Sequence, residues 1–268
     1  MIDASDAVAL LALTLRLSAI GVCIQSCEVL SHGHELRAGR LFGRIDRRTS
    51  WWRNLIRVAD DFPGCAWILA MRAALAATAF FLPYPSMMAF VVAAALVAIQ
   101  LYYNRRFVIL AGNCETVFLI ALVAAGAGAL PQVDTWVRGV ALAFMAAQVV
   151  LAYFVAGLHK LRSRAWSDGQ RLRQIAADGP YLWPSFALPL ARGNLARLSS
   201  WWIIGWELAM PAALLLPSPY FEAMLVGGVV FHGLVAVVMG LHGFWWSFMA
   251  AYPGLIYVHG KILGGGGA

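Results

Sequence analysis

Eight stretches of about twenty apolar residues run along the chain, and each has the length of a helix that crosses a bilayer core. They cover residues 7–31, 64–83, 85–103, 113–130, 136–161, 200–217, 220–240 and 243–258. The last is short and contains Pro253. Of the 268 residues, 62% are hydrophobic and 12% charged, against about 25% charged in a soluble domain. Mean hydropathy is +0.74. A soluble fold would be left with apolar side chains over much of its surface. The composition excludes an ordinary soluble enzyme, a disordered chain and a secreted disulfide scaffold. The fold class expected is all-α: a polytopic transmembrane helical bundle of about eight spans with no large soluble domain. Residues 1–263 form one such domain, with basic loops at 32–63 and 160–199, and residues 264–268 form a flexible Gly-rich tail.

The charges carry the orientation. Lys plus Arg is 20, Asp plus Glu is 13, and all but two of the basic residues are Arg. Sixteen of the 20 fall in three places: seven in 37–57, Arg105 with Arg106, and seven from Lys160 to Arg197. Basic residues collect on the cytoplasmic side of membrane proteins. All three groups then lie on one side, with the N-terminus and the prolyl turns Pro83-Tyr84-Pro85 and Pro217-Ser218-Pro219 on the other. The localisation expected is the plasma (inner) membrane. The partner is the lipid bilayer, whose anionic headgroups match the basic loops better than nucleic acid does. Trp51 and Trp52, beside Arg47, Arg48 and Arg53, suit an interfacial helix within 32–63. The acidic start, with no basic residue before Arg16, does not read as a signal peptide. Cys23, Cys27, Cys65 and Cys114 have no metal-site spacing and read as small buried hydrophobes. Cys23 and Cys27 share a helix face, which leaves a metal or redox pair open.

An ionisable group inside hydrocarbon costs about 2.5–3.5 kcal/mol, so the few within the spans are informative. They are Arg16, Arg72, Glu115, Glu207 and His232, with Glu28 and Lys160 near span ends. At 1.5 Å per residue, Arg72, Glu207 and His232 each lie roughly 10–13 Å from the inner end of their helix. An Arg72–Glu207 ion pair with His232 nearby is expected, either lining a cavity or pinning helix packing. Arg16 sits nearer the outer face. Glu115 falls in the first turn of its helix, where the dipole favours an anion.

Lys160 is one of two lysines in a chain otherwise supplied with Arg. A desolvated lysine can lose its proton and act as a base, which arginine cannot. A snorkelling interfacial lysine is the other reading. Tyr153 lies seven residues earlier on the same helix face, and Gly157 leaves space beside the amine. The aromatic run Phe244-Trp245-Trp246-Ser247-Phe248, with Trp201, Trp202 and Trp206, reads as an interfacial belt or as a holder for a flat aromatic ligand such as a quinone.

The string Ala156-Gly157-Leu158-His159-Lys160-Leu161, followed by Trp166 and Gly169, resembles the AG-x-x-K-L…W-x-x-G signature of the vitamin K-dependent γ-carboxylase-like (HTTM) membrane family. That family has bacterial branches resembling sporulation-delaying-protein B maturation factors. A second stretch agrees: Glu207 to Pro217, Phe231-His232, then Gly243-Phe244, Ser247 and Ala251-Tyr252-Pro253. The resemblance covers roughly residues 95–258. It implies that Lys160 is the base toward a vitamin K-like quinone or hydroquinone, with O2 and CO2 as co-substrates and no metal. The catalytic residues expected are Lys160, His232 and Glu207. The cofactor-binding residues expected are Tyr153, Arg72, Asn104, His159, Trp166, Phe244 and Trp245. Two departures stand out. Asn104-Arg105 occupies the place of the family's Asn-His pair, and His159 that of a second lysine. A peptide or small molecule is the substrate expected. A non-enzymatic maturation or immunity partner for an exported peptide, and a quinone-binding subunit, are the alternatives.

Overall fold

The computed structural model describes residues 4–33, 62–107, 113–178, 189 and 194–264. Among these residues the regular structure is helical, with no strand. Ten helices follow in order: α1 (Ala4–Ser31), α2 (Gly64–Phe81), α3 (Met87–Arg106), α4 (Asn113–Gly128), α5 (Thr135–Arg162), α6 (Arg164–Ser167), α7 (Gln170–Asp178), α8 (Leu195–Ala213), α9 (Ser218–Met239) and α10 (His242–Gly264).

Each of the eight apolar stretches is a helix, but they are not equivalent. Five are long and apolar enough to cross a membrane: Asp6–Ser31, Gly64–Phe81, Met87–Arg106, Thr135–Arg162 and Ser218–Val237. α4 is apolar but has only 16 residues. α8 and α10 are long enough, yet Arg197, Glu207 and three Trp dilute one, and His242, His259 and Lys261 dilute the other. The five apolar helices fit a membrane-embedded protein. α10 runs helical through Pro253, which the neighbouring helices of a bundle tolerate. The expected interfacial helix with Trp51 and Trp52 lies outside the described residues, as does the tail beyond Gly264. The expected loop over 160–199 begins as structure, with the end of α5, then α6 and α7.

The chain divides into two compact units. The first takes Ile2–Met145 and Trp246–Tyr257; the second takes Ala146–Trp245 and Val258–Ala268. In the first, α1 packs on α2 and α4, and α3 packs on the same two. The seam is small: Ala19, Ala76, Ala79, Ala89, Ala93, Ala125 and Ala129 are buried beside Leu15, Leu96, Phe118 and Leu122. Lipid tails are as apolar as leucine, so helices in a bilayer associate through close packing, which small residues permit. Ser86 starts α3 by accepting from the Ala89 N–H at 3.0 Å. Arg138 closes α4, donating from Nε to Gly128 O at 3.1 Å and from Nη2 to Leu130 O at 3.0 Å. A cation on the last carbonyls is where the helix dipole favours it. Tyr84, in the turn before α3, donates to Ala125 O at 2.8 Å. Burial pushes its phenol up, and Arg138 pulls the other way.

In the second unit, α6 and α7 pack against the start of α8, and α8 packs on α9. Gly169 makes the α6–α7 bend at φ 74°, and a Cβ there would stand 2.5 Å from the Arg197 nitrogen. Only glycine meets both demands. α9 opens with Pro219 in its first turn and ends on Gly240 at φ 68°, the usual left-handed helix stop. His259 stacks on Phe221 with ring centroids 3.8 Å apart and bonds Leu216 O at 2.9 Å.

Candidate functional site

The second unit gathers the first of the stretches that carry the resemblance and, from the second, Glu207 to Pro217, Phe231-His232 and Gly243-Phe244; Ser247 and Ala251-Tyr252-Pro253 belong to the first unit. Lys160 lies in the last turn of α5. Its Nζ donates to Oε1 and Oε2 of Glu207 on α8, each at 2.6 Å. The two side chains retain 19% and 6% of their exposure. Such a pair is held out of most of the solvent, where its attraction is much stronger than at an open surface. Trp166 of α6 lies over the amine, with Nζ 5.3 Å from the ring centroid. The electron-rich face gives the cation a second partner.

Gly157 brings the two helices together. A Cβ there would stand 3.1 Å from Glu207 Cβ and 3.0 Å from Leu208 Cγ. A side chain there would need Leu208 and Glu207 to give by at least a few tenths of an ångström. We expect Gly157→Val to cost about 1–3 kcal/mol, the usual range for overpacking. Its unfolding midpoint in mild detergent, compared with that of the wild type, checks this. An unchanged midpoint would show that the α5–α8 contact can yield.

Two turns earlier on the same face of α5, Tyr153 Oη is hydrogen-bonded to His232 Nε2 at 2.7 Å. His232 is 1% exposed. Trp206 meets Tyr153 edge-on, with centroids 5.1 Å apart. Phe231 and Phe244 flank His232 at 4.9 and 5.8 Å. Trp202 stacks along Trp206 at 6.4 Å and keeps half of its surface open. Residues 153, 157 and 160, four and three apart, thus align a phenol–imidazole pair, a packing glycine and an amine–carboxylate pair on one helix face. Each pair can share or pass a proton, and aromatic rings surround the phenol and the imidazole.

Arg72 and Asn104 belong to a different cluster, in the first unit. Arg72, on α2, is 0% exposed. It donates from Nη1 to Ser26 Oγ at 3.0 Å, and from Nη2 to Gln25 Oε1 at 2.8 Å and Gln100 Oε1 at 2.5 Å. Its guanidinium lies 4.3 Å from the Tyr103 centroid. Gln25 Nε2 donates to Glu115 Oε1, and Gln100 Nε2 to Glu115 Oε2 at 2.7 Å. The result is a closed ring in which two amides each accept from the cation and donate to the anion. Gln100 Nε2 also donates to Asn104 Oδ1 at 2.8 Å.

The expected Arg72–Glu207 pair is therefore corrected: Arg72 is compensated through the amides by Glu115, and Glu207 directly by Lys160. Of the residues expected at one site, Lys160, Glu207, Trp166, Tyr153, His232 and Phe244 come together. Trp245 Nε1 lies 4.0 Å from where a Cβ on Gly233 would stand. His159 is exposed on α5, and Arg16 is exposed on α1. Cys65 and Cys114 are buried as expected, whereas Cys23 is half-buried and Cys27 exposed. Gln25, Ser26, Gln100 and Arg138 were not among the residues expected to matter. Comparison with known protein families, characterised proteins and solved structures gives no match for this chain.

Proposed function

We propose that the chain is an integral membrane enzyme of the vitamin K-dependent γ-carboxylase-like group, acting on a peptide or small molecule with the help of a lipid-soluble quinol. In this proposal α4, α8 and α10 complete eight spans, and the basic segments face the cytoplasm across the plasma membrane. The observation that supports it is a meeting of two sequence stretches. The lysine of the first stretch is bonded to the acidic residue of the second. Tyr153, on the same face as that lysine, is bonded to the histidine of the second.

The residues present fit a flat quinol: aromatic faces around a buried phenol–imidazole pair, with a half-open Trp202 beside them. Such a cofactor supplies a weakly acidic hydroxyl and two-electron chemistry, with O2 and CO2 as possible co-substrates. The chain's own part is proton handling. Nζ passes its proton to the Glu207 carboxylate, and the neutral amine then takes the proton of the ligand's hydroxyl, in a site that excludes most bulk water around the pair. Tyr153 and His232 orient the ligand's other oxygen. Trp166 keeps the amine in place, and Gly157 sets the spacing.

The test is purification of the full chain in mild detergent, with quinone extracted and quantified by mass spectrometry. Protein-dependent oxygen uptake is then measured with menadiol as the probe. A quinone at about one per chain is expected, and Lys160→Ala should retain it while losing the uptake. Full uptake in Lys160→Ala would remove the lysine from the chemistry. A co-purifying peptide of unchanged mass, without quinone, would instead assign the protein as a maturation or immunity partner.

A further inference from the structure

Beyond Lys160 the chain carries charge that neither buried cluster uses. α5 ends at Arg162, and α6 and α7 fold back as a short hairpin against the start of α8. Arg162, Arg164, Arg171 and Arg197 are exposed on these four helices. None has a carboxylate partner among the described side chains; Arg171 bonds only the Gln174 amide oxygen, at 3.2 Å. The hairpin is not a loose loop. Gly169 fits against the Arg197 backbone, so the guanidiniums of α6, α7 and α8 are carried on one packed element.

The apolar surroundings narrow the partner. Leu161, Leu198, Trp201 and Trp202 are exposed beside these arginines, and Leu198 keeps 69% of its surface. A water-borne acidic partner would satisfy the arginines and leave this apolar surface wet. A membrane interface satisfies both, because the guanidinium fork matches a phosphate while Leu and Trp reach the acyl boundary.

We propose that the α6–α7 hairpin, with the first turns of α8, is a binding surface for the headgroups of anionic phospholipids. The proposal is independent of the chemistry at Lys160 and uses only the membrane character of the chain. Each arginine at an anionic surface contributes about fivefold in association, an effect that salt screens.

The full chain is reconstituted in phosphatidylcholine vesicles with spin-labelled phosphatidylglycerol or spin-labelled phosphatidylcholine, and the immobilised fraction of each label is compared. The wild type is expected to hold phosphatidylglycerol preferentially, and raised KCl should abolish the preference without any mutation. The variant Arg164→Gln/Arg171→Gln/Arg197→Gln should bring the two labels to equality with an unchanged circular dichroism spectrum. If that variant does not fold, the single substitutions should each lower the preference about fivefold. Equal retention of both labels by the wild type would overturn the proposal, as would a preference that survives the substitutions. So would salt-sensitive binding of polyglutamate without lipid preference, which would point to a protein partner.

Discussion

Arg72→Ala is expected to cost about 3–5 kcal/mol, the range for stranding one member of a buried ion pair. The guanidinium touches Ser26, Gln25 and Gln100, and reaches Glu115 only through the two amides. Removing it leaves a carboxylate that is 1% exposed with no cation in its ring. It also deprives both amide oxygens of their donor. Arg72→Lys keeps the charge but not the fork, so it should fall between wild type and alanine. The discriminating variant is Arg72→Met/Glu115→Gln. Replacing both charged members leaves no buried charge, and such replacements are often close to neutral. The double variant should therefore recover most of the loss, giving a strongly non-additive cycle. Unfolding midpoints in mild detergent are measured for the wild type, Arg72→Met, Glu115→Gln and the double variant, with Arg72→Ala and Arg72→Lys beside them. Additive losses would mean that the ring does not couple Arg72 to Glu115.

The elements of this fold were legible in the sequence because hydropathy reports solvent. Residues 64–83 were expected to be apolar helix and the helix is Gly64–Phe81; residues 113–130 were expected and the helix is Asn113–Gly128. Both prolyl turns separate helices as expected. Partnership was not legible. Depth along a helix axis places a residue in a layer, but says nothing of the direction in which its side chain points or which helix lies there. Arg72 and Glu207 share a layer by that count and bond elsewhere. Glu115 does sit in the first turn of α4, where the dipole favours it, yet its buried bonds go to amides. A count of ionisable groups does not reach those amides. Gln25 and Gln100 carry no charge, but an amide in hydrocarbon also needs a partner, and both lie deep in apolar runs. Lys160 was legible for a different reason: in a chain that uses Arg almost everywhere, a lysine at a span end beside Gly157 is an exception. Glu207 stands out in the sequence too, as a carboxylate within a span, but depth alone pairs it with Arg72 rather than with Lys160.

Lys160→Arg should separate the structural role of that pair from its chemical one. An arginine at 160 remains a cation and can donate to both oxygens of Glu207, so its unfolding midpoint should stay within about 1 kcal/mol of wild type. Lys160→Ala should lose about 3 kcal/mol, the low end for breaking a buried pair, because the lysine keeps 19% of its exposure. Glu207→Gln should lose less, since the amide still offers an oxygen and Trp166 still faces the amine. If Lys160 only pins α5 to α8, activity should follow stability, and the arginine variant should work as the wild type does. If the amine must take a proton, stability and activity part company. A guanidinium does not deprotonate in proteins, so menadiol-dependent oxygen uptake in Lys160→Arg should fall to the level without protein while the fold persists. Wild-type uptake in that variant would leave the Lys160–Glu207 pair a structural tie between two helices. Loss of uptake with an intact midpoint would place the proton on Nζ, which is the one property that lysine has here and arginine lacks.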